Sequence, residues 1–536
     1  MNYAETMLPA DPKGAPEAYD LIYYFARRLK AKYVVAIGCR NVTNLRALCD
    51  SFSLVVIDDA VHLDAFRAAG PSLPAKQYLL GPLFAPGVHV PVGGQPFTGI
   101  IQEQKEFAAR RANRSSPTLI EHDLHQGLPD LTPAMRSESV FICADVLHRL
   151  REPNRLLPDL AALSRTCPLL VITLADRARL ASTHNQGSTH DLVDERESLK
   201  GEFDQQLRSY QVAPCLLGYT IDTQGSNSKN ALLAVTGTLT CPAPPPRLVN
   251  VLAVLHVFNE HDIIAATIEH LLRQGVDVKV LDNWSSDGTY EIVRSLAAAA
   301  PRISVERYPA DGPSLWYDLK NIIANVEQIA LESKYDWIIY HDADELRYSP
   351  WRGLTLQQAL SAVDALGFNA IDFTVVEFKP TREGFVAGVD PEQFFGHFDF
   401  GRFRPNFIKV QGWKNLQKID LSWDHHANFA NQRIFPIKFL MKHYPLRSTQ
   451  QAKEKLFKHR APRIPREERG NRFRRYDLSE NAKYVNDEAT FPVYDPQAFE
   501  AEYLLERISG VGILRNSSYA KPFVVPYPDT SSASAL

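Results

Sequence analysis

The chain has 536 residues, and at roughly 150 residues per domain that is three to four domains' worth, so a single compact core is not expected. With 45% hydrophobic, 10% aromatic and 23% charged residues it is too apolar for a disordered chain. Its 59 Lys and Arg against 62 Asp and Glu leave a net charge of −3, which excludes a global field drawing the whole molecule to nucleic acid or anionic lipid; any basic site has to be local.

Along the chain, short β-branched runs alternate with longer segments of helical apolar spacing, the pattern of parallel strands joined by helices. In the first half this predicts helices over Glu17–Lys30, Asn41–Ser51 and Pro153–Ser164. Strands are predicted over Tyr33–Ile37, Leu54–Ile57, Val140–Ala144 and Leu169–Thr173, with a final pair at Leu216–Thr220 and Ala231–Thr236. That order suits a doubly wound sheet, in which ligands collect beyond the carboxyl ends of the strands. A nucleoside-like ligand is therefore sought at Gly38, after the first strand, and at Asp58 and Asp59, after the second. All six cysteines (Cys39, Cys49, Cys143, Cys167, Cys215 and Cys241) precede Pro242, form no CxxC pair and read as buried reduced thiols. Four prolines in the seven residues Cys241–Arg247 forbid a continuous helix and favour an extended spacer, which sets the domain boundary.

The stretches Val34–Arg40, Val55–Asp58 and Ile142–Leu150, with the helix that follows from Pro153, resemble class I S-adenosylmethionine-dependent methyltransferases over roughly residues 30–237. The resemblance implies that Gly38 lets S-adenosylmethionine approach the backbone and that Asp58 binds its ribose. The turn departs from the family pattern, since Ala36, Arg40 and Val42 stand in a loop that usually carries two or three glycines. An active methyltransferase and a degenerate scaffold or substrate-binding module both remain open on this reading.

From Leu248 the alternation sharpens. Strands are predicted over Leu248–Val257, Val276–Leu281, Ile303–Arg307 and Trp337–Tyr340, and helices over His261–Gln274, Tyr290–Ala299 and Ser314–Glu332. Polar residues fall just past the strand ends: Asn259-Glu260, Asp282-Asn283 and His341-Asp-Ala-Asp-Glu345. In the last cluster Asp342 and Asp344 stand at i and i+2, spaced so that an extended chain points both to one face and a turn lets both approach one ion. Oxygen ligands suit a hard cation, Mg²⁺ or Mn²⁺, completed by water and substrate phosphates and able to neutralise a departing diphosphate.

Three ordered stretches, Val257–Glu260, Val280–Thr289 and Asp336–Glu345, resemble the GT-A fold of glycosyltransferase family two, over about 248–450. The resemblance implies a nucleotide-sugar donor, with Asn259, Glu260, Asp282 and Asn283 on its nucleotide side and Asp342 and Asp344 as the metal and diphosphate pair. Asp287-Gly288-Thr289 is read instead as a tight turn with a Thr helix cap. Beyond the acidic turn, His425, His426 or His443 could supply a third metal ligand, His426 being preferred. Glu377, at the end of an apolar strand Ile371–Val376, and Asp424 are candidates for the base an inverting transfer needs. Residues 453–475 hold ten Lys and Arg against three Glu, a local excess of +7 that is read first as a solvated helix and loop. Contact with the donor diphosphate, an anionic acceptor or lipid headgroups is the competing reading, the last implying peripheral membrane attachment. No nucleic-acid recognition module accompanies the charge.

The expectation is thus an α/β protein of two Rossmann-like domains: a methyltransferase-like doubly wound sheet at 1–240, a linker at 241–247, a GT-A domain at 248–450 and a basic extension and tail at 451–536. With no apolar stretch near the roughly 18–20 residues that span a bilayer, and no charged-then-apolar start over Met1–Gly14, the chain reads as cytoplasmic. The expected function is metal-dependent sugar transfer to a glycan or lipid-linked acceptor. The alternatives are a methyltransferase with a carbohydrate-binding second half and a non-catalytic scaffold.

Overall fold

The computed structural model describes residues 16–39, 42–49, 52–69, 116–144, 146–147, 150, 153–175, 216–220, 231–240, 247–316, 318–400, 410–416, 418–421, 426–464 and 482–497, with isolated positions besides. Contacts divide the chain into two compact units, with a break between Ala243 and Pro244 and the second unit running to Asp495.

The first unit is built on a seven-stranded sheet of β1 (Tyr33–Ile37), β2 (Ser53–Asp58), β3 (Thr118–Glu121), β4 (Ser139–Ala144), β5 (Leu169–Ala175), β6 (Leu216–Thr220) and β7 (Ala231–Thr236). Its order is β3-β2-β1-β4-β5-β7-β6, with β1 to β5 parallel and β7 antiparallel to both its neighbours. Parallel strands covered on both faces read as continuous apolar runs, and β1, β2 and β4 are buried almost throughout. β3 escaped the sequence reading because it is a four-residue strand with half-exposed faces. Cys39, Cys143 and Cys167 are buried, and burial pushes the Cys167 thiol up to about 12.

The second unit has two sheets. The first holds β8 (Val251–Val257), β9 (Asp277–Asp282), β10 (Ile303–Arg307) and β11 (Trp337–Asp342), all parallel, in the order β10-β9-β8-β11. Every residue of central β8 is buried, whereas β10 at the edge alternates buried and exposed. After β12 (Glu345–Tyr348), the predicted strand Ile371–Val376 is broken at Asp372 into β13 (Ala370–Ile371) and β14 (Phe373–Lys379). These fragments join different sheets. β15 (His397–Asp399) pairs with β14, while β16 (Gly412–Lys414) lies antiparallel between β11 and β13 and completes the first sheet. β17 (Asp420–Leu421) and β18 (Ala427–Asn428) form a separate pair. β19 (Phe439–His443) runs between β12 and β14, giving a second sheet of order β12-β19-β14-β15.

The helices begin where side chains satisfy their first N–H groups. Thr355 and Gln358 form a reciprocal capping box before Leu356–Ala365. Asp318 accepts from Asn321 N–H and starts the helix Leu319–Glu332, five residues later than the apolar spacing from Ser314 suggests. Among the described residues no helix is long and apolar enough to cross a membrane.

Gly412 is the point where β16 fits between its neighbours: a Cβ there would lie 2.6 Å from Ile371 Cγ1. Gly412→Val should lower stability by about 1–3 kcal/mol through overpacking, read by urea unfolding. An unchanged midpoint would show that β16 is not wedged as described.

Candidate functional site

The parallel register of the second unit brings its acidic residues to one edge. Asp282 is level with Val257 on β8 and with Arg307 on β10, and Asp342 is level with His256. The edge is braced from behind. Ser285 Oγ accepts from Asn259 N–H at 3.0 Å, Thr289 Oγ1 accepts from Glu260 N–H at 2.9 Å, and Asn259 Oδ1 accepts from Ser286 N–H at 2.8 Å. Asn259 is held in the left-handed region, φ 55°. Asp287-Gly288-Thr289 is a turn, with Gly288 at φ 97° opening the helix Thr289–Ala299 and Asp287 accepting from Thr289.

The acidic turn and the strand after it are fixed through their backbone carbonyls by two elements, the helix Ile264–Arg273 and the segment that follows β19. Thr267 Oγ1, on the helix Ile264–Arg273, donates to Ala343 O at 2.7 Å, and His270 Nε2 donates to Arg347 O at 2.8 Å. Tyr444 N–H donates to Asp344 O at 2.8 Å. Because β19 pairs with β12 and β14 with His443 opposite both Glu345 and Glu377, His443 is carried to the acidic turn by strand register.

Asp344 therefore lies in a buried charge cluster. Its Oδ2 accepts from Lys455 Nζ at 2.7 Å, its Oδ1 is 3.5 Å from His443 Nε2, and Arg447 Nη1 is 4.0 Å away. Lys455 Nζ also lies 2.7 Å from Glu260 Oε1. Arg447 spans Asp262 with two hydrogen bonds of 2.8 and 2.7 Å and reaches Glu260 Oε2 at 2.5 Å. Burial works to raise the Asp344 pKa, but Lys455, His443 and Arg447 outweigh it and hold the carboxyl well below its ordinary range. For Arg447, burial is outweighed by Glu260 and Asp262, which keep the guanidinium charged.

Asp282 is fully buried. Its Oδ2 accepts from Ser285 N–H at 3.0 Å, while Oδ1 has no hydrogen-bond partner. Burial pushes its carboxyl up against the Ser285 hydrogen bonds. A buried carboxylate oxygen lacking a donor is costly. Asn283 bridges Tyr308 O and the guanidinium of Arg463.

The other candidates fall as follows. His426 is buried and its Nδ1 accepts from Val410 N–H at 3.1 Å; the imidazole standing beside Asp344 is His443. Glu377 lies within β14 rather than at a strand end, 2.6 Å from Lys379 Nζ and 3.8 Å from His443 Nδ1. Asp424 and His425 lie outside the described residues, as do residues 465–475 of the basic stretch. Sequence reasoning missed Arg447 and Lys455 as members of this cluster.

Among the described residues, the group of three His, Cys, Asp or Glu side chains whose ligand atoms lie within 4.8 Å of one another is Asp58, Asp59 and His62, and the donor set around Asp344 is smaller. Three carboxylates (Glu260, Asp262 and Asp344) face two cations (Arg447 and Lys455), an excess of one negative charge when His443 is neutral. Asp344 and His443 offer one oxygen and one nitrogen, which leaves further positions to water and phosphate. In the first unit the geometry is less receptive to S-adenosylmethionine. Gly38 has φ 85°, but a Cβ there would lie 2.4 Å from Val146 Cγ2, so the chain itself fills the glycine's open side. Asp58 is 5% exposed, and its two oxygens accept from Cys39 N–H at 2.8 Å and Asp59 N–H at 2.9 Å. His62 lies 2.7 Å from Asp59 and 3.5 Å from Asp58, and Asp59 caps its helix by accepting from His62 N–H.

No curated protein matches the chain. Among solved structures it is similar to a mannosyltransferase from Pyrobaculum calidifontis in complex with GDP-Man and Mn²⁺, at 20% identity, over 26% of this chain and 38% of that one, TM-score 0.19. It is similar to mannosyl-3-phosphoglycerate synthase from Rubrobacter xylanophilus at 19% identity, over 25% of this chain and 42% of that one, TM-score 0.18. A third likeness, to a putative O-methyltransferase from Klebsiella pneumoniae, has 15% identity over 44% of this chain and 86% of that one, TM-score 0.22. The first two matches thus span less than half of those proteins' own length, and scores of this size carry no weight beside the site geometry. Residues 253–379, which hold Glu260, Asp282, Asp342, Asp344 and Glu377, match the family model described as glycosyl transferase family 2.

Proposed function

We propose that the second unit is a glycosyltransferase that moves a sugar from a nucleotide-sugar donor to a hydroxyl of a glycan or lipid-linked acceptor. The observation that carries this is the buried Asp344 carboxylate beside His443, on the same strand edge as Asp282 with its unpartnered oxygen. Asp282 Oδ1 suits an N–H of the donor base, and Asn259, Glu260 and Asn283 form the nucleotide side of the edge. Asp344 and His443, with Asp342 two residues earlier in the chain, would hold Mg²⁺ or Mn²⁺, which when bound supplies positive charge to the diphosphate leaving group.

In an inverting transfer the acceptor oxygen attacks the anomeric carbon and the bond from that carbon to the phosphate oxygen breaks. The bonding pair leaves on the nucleoside diphosphate, and the acceptor proton passes to a carboxylate. Glu377 is the base candidate among the described residues, and Asp424 the other one proposed from sequence. Glu377 lies 3.8 Å from His443 Nδ1, beyond hydrogen-bond reach. Arg447 keeps Glu260 and Asp262 from repelling each other at the edge.

Nucleotide-sugar hydrolysis tests this reading. Asp344→Ala should reduce turnover by about 10²–10³-fold, EDTA should abolish wild-type turnover, and His443→Ala should cost about 10–100-fold. Equal turnover in wild type and Asp344→Ala, with both folded, would refute metal-assisted transfer.

For the first unit we infer a scaffold that does not bind S-adenosylmethionine, since Val146 Cγ2 fills the space beside Gly38. A ligand present at a hundred times its Kd would add about 2.7 kcal/mol of stability. Millimolar S-adenosylmethionine is therefore expected to leave the Tm unchanged, and a rise of several degrees would contradict the inference.

A further inference from the structure

The basic stretch 453–475 reads from sequence first as a solvated helix and loop and, in competition, as a contact with the donor diphosphate, an anionic acceptor or lipid headgroups; its described part turns inward. The helix Thr449–Lys453 continues into a π-helical run, Glu454–Arg460, and then a 3-10 turn, Ala461–Arg463. π-Helical turns are rare and are found often at functional sites. Lys455, His459 and Arg463 recur at intervals of four, and all three meet the strand edge. Lys455 bridges Glu260 and Asp344, His459 meets the Phe258 ring edge-on at 5.9 Å, and Arg463 lies 4.3 Å over the same ring while donating to Asn283. Lys455 is 5% exposed, so its ammonium has been drawn from water into the cluster.

The geometry points to Lys455 as a built-in counter-cation of the metal site, competing with the divalent ion for Asp344 and supplying positive charge to the donor diphosphate. The inference rests on the reading of Asp344 and His443 as metal ligands. An ammonium 2.7 Å from Asp344 Oδ2 neutralises the carboxylate that would attract the ion, so ion binding has to work against it. Glu260, whose other oxygen is held by Arg447, keeps Lys455 at the edge once Asp344 is taken. Arg463, anchored on Asn283, adds a second positive group on the nucleotide side.

The test is Mn²⁺ binding without nucleotide, followed by electron paramagnetic resonance of free Mn²⁺, in wild type, Lys455→Met and Lys455→Arg. Lys455→Met is expected to bind Mn²⁺ about tenfold more tightly than wild type and, with Mn²⁺ present, to bind UDP or GDP about tenfold more weakly. Lys455→Arg is expected to stay within about threefold of wild type on both. A purely structural lysine would weaken both affinities together, and unchanged or weaker Mn²⁺ binding in Lys455→Met overturns the proposal. Should Lys455→Met fail to fold, wild type answers alone: Mn²⁺ should speed reductive methylation of Lys455 severalfold, and an unchanged rate overturns the proposal. Mn²⁺ binding by Lys455→Met but not by wild type would support the competition while refuting metal-assisted transfer, so the two readings fail separately.

Discussion

The Arg447 guanidinium, wholly buried between Glu260, Asp262 and the acidic turn at Asp344, is the interaction on which the second unit's strand edge depends. Three carboxylates brought this close out of water repel one another and lose their hydration, a cost of several kcal/mol per ion unless cations and hydrogen bonds offset it. Arg447 offsets it with a planar fork that a lysine could not reproduce, and it anchors that fork by donating to Tyr444 O at 2.9 Å. With His443 neutral, the cluster keeps one negative charge in excess, which on the proposed reading is what a divalent ion would meet.

The same constraint explains why residues far apart in sequence act together. Glu260 follows β8, Asp344 follows β11, His443 ends β19, and Lys455 and Arg447 lie on the chain that leaves β19. Two sheets must meet in a fixed register for His443 to reach Asp344, and the hydrogen bond from Tyr444 N–H to Asp344 O sets that register. Catalytic groups held by strand register and buried charge need little rearrangement when a charged donor arrives, which is the condition for electrostatic stabilisation of a leaving group. Lys455 is the member of the cluster that such a donor would redirect.

Much of this was legible in the sequence because parallel strands buried on both faces leave unbroken apolar runs, and β1, β4, β8 and β11 are of that kind. Asp282 and Asp344 were legible because they directly follow such runs. The two-residue β13 and three-residue β16 were not, since strands so short carry no period, and Gly412 gives no apolar signal at all. Which imidazole stands beside Asp344 depends on the strands that β19 pairs with, which is a tertiary fact. His443 does end an apolar strand, Phe439–His443, and that position was the available hint. Lys455 was hidden because a run of positive charge usually means a solvated face. The four-residue spacing of Lys455, His459 and Arg463 was the signal that one side of that run faces inward.

The most direct test of the central claim is anomalous diffraction from crystals of the full chain soaked with MnCl₂ and a nucleoside diphosphate. The account predicts a manganese peak about 2 Å from both an Asp344 oxygen and His443 Nε2, with Lys455 turned from Asp344 toward phosphate. A bound nucleotide whose manganese touches neither Asp344 nor His443 would contradict it.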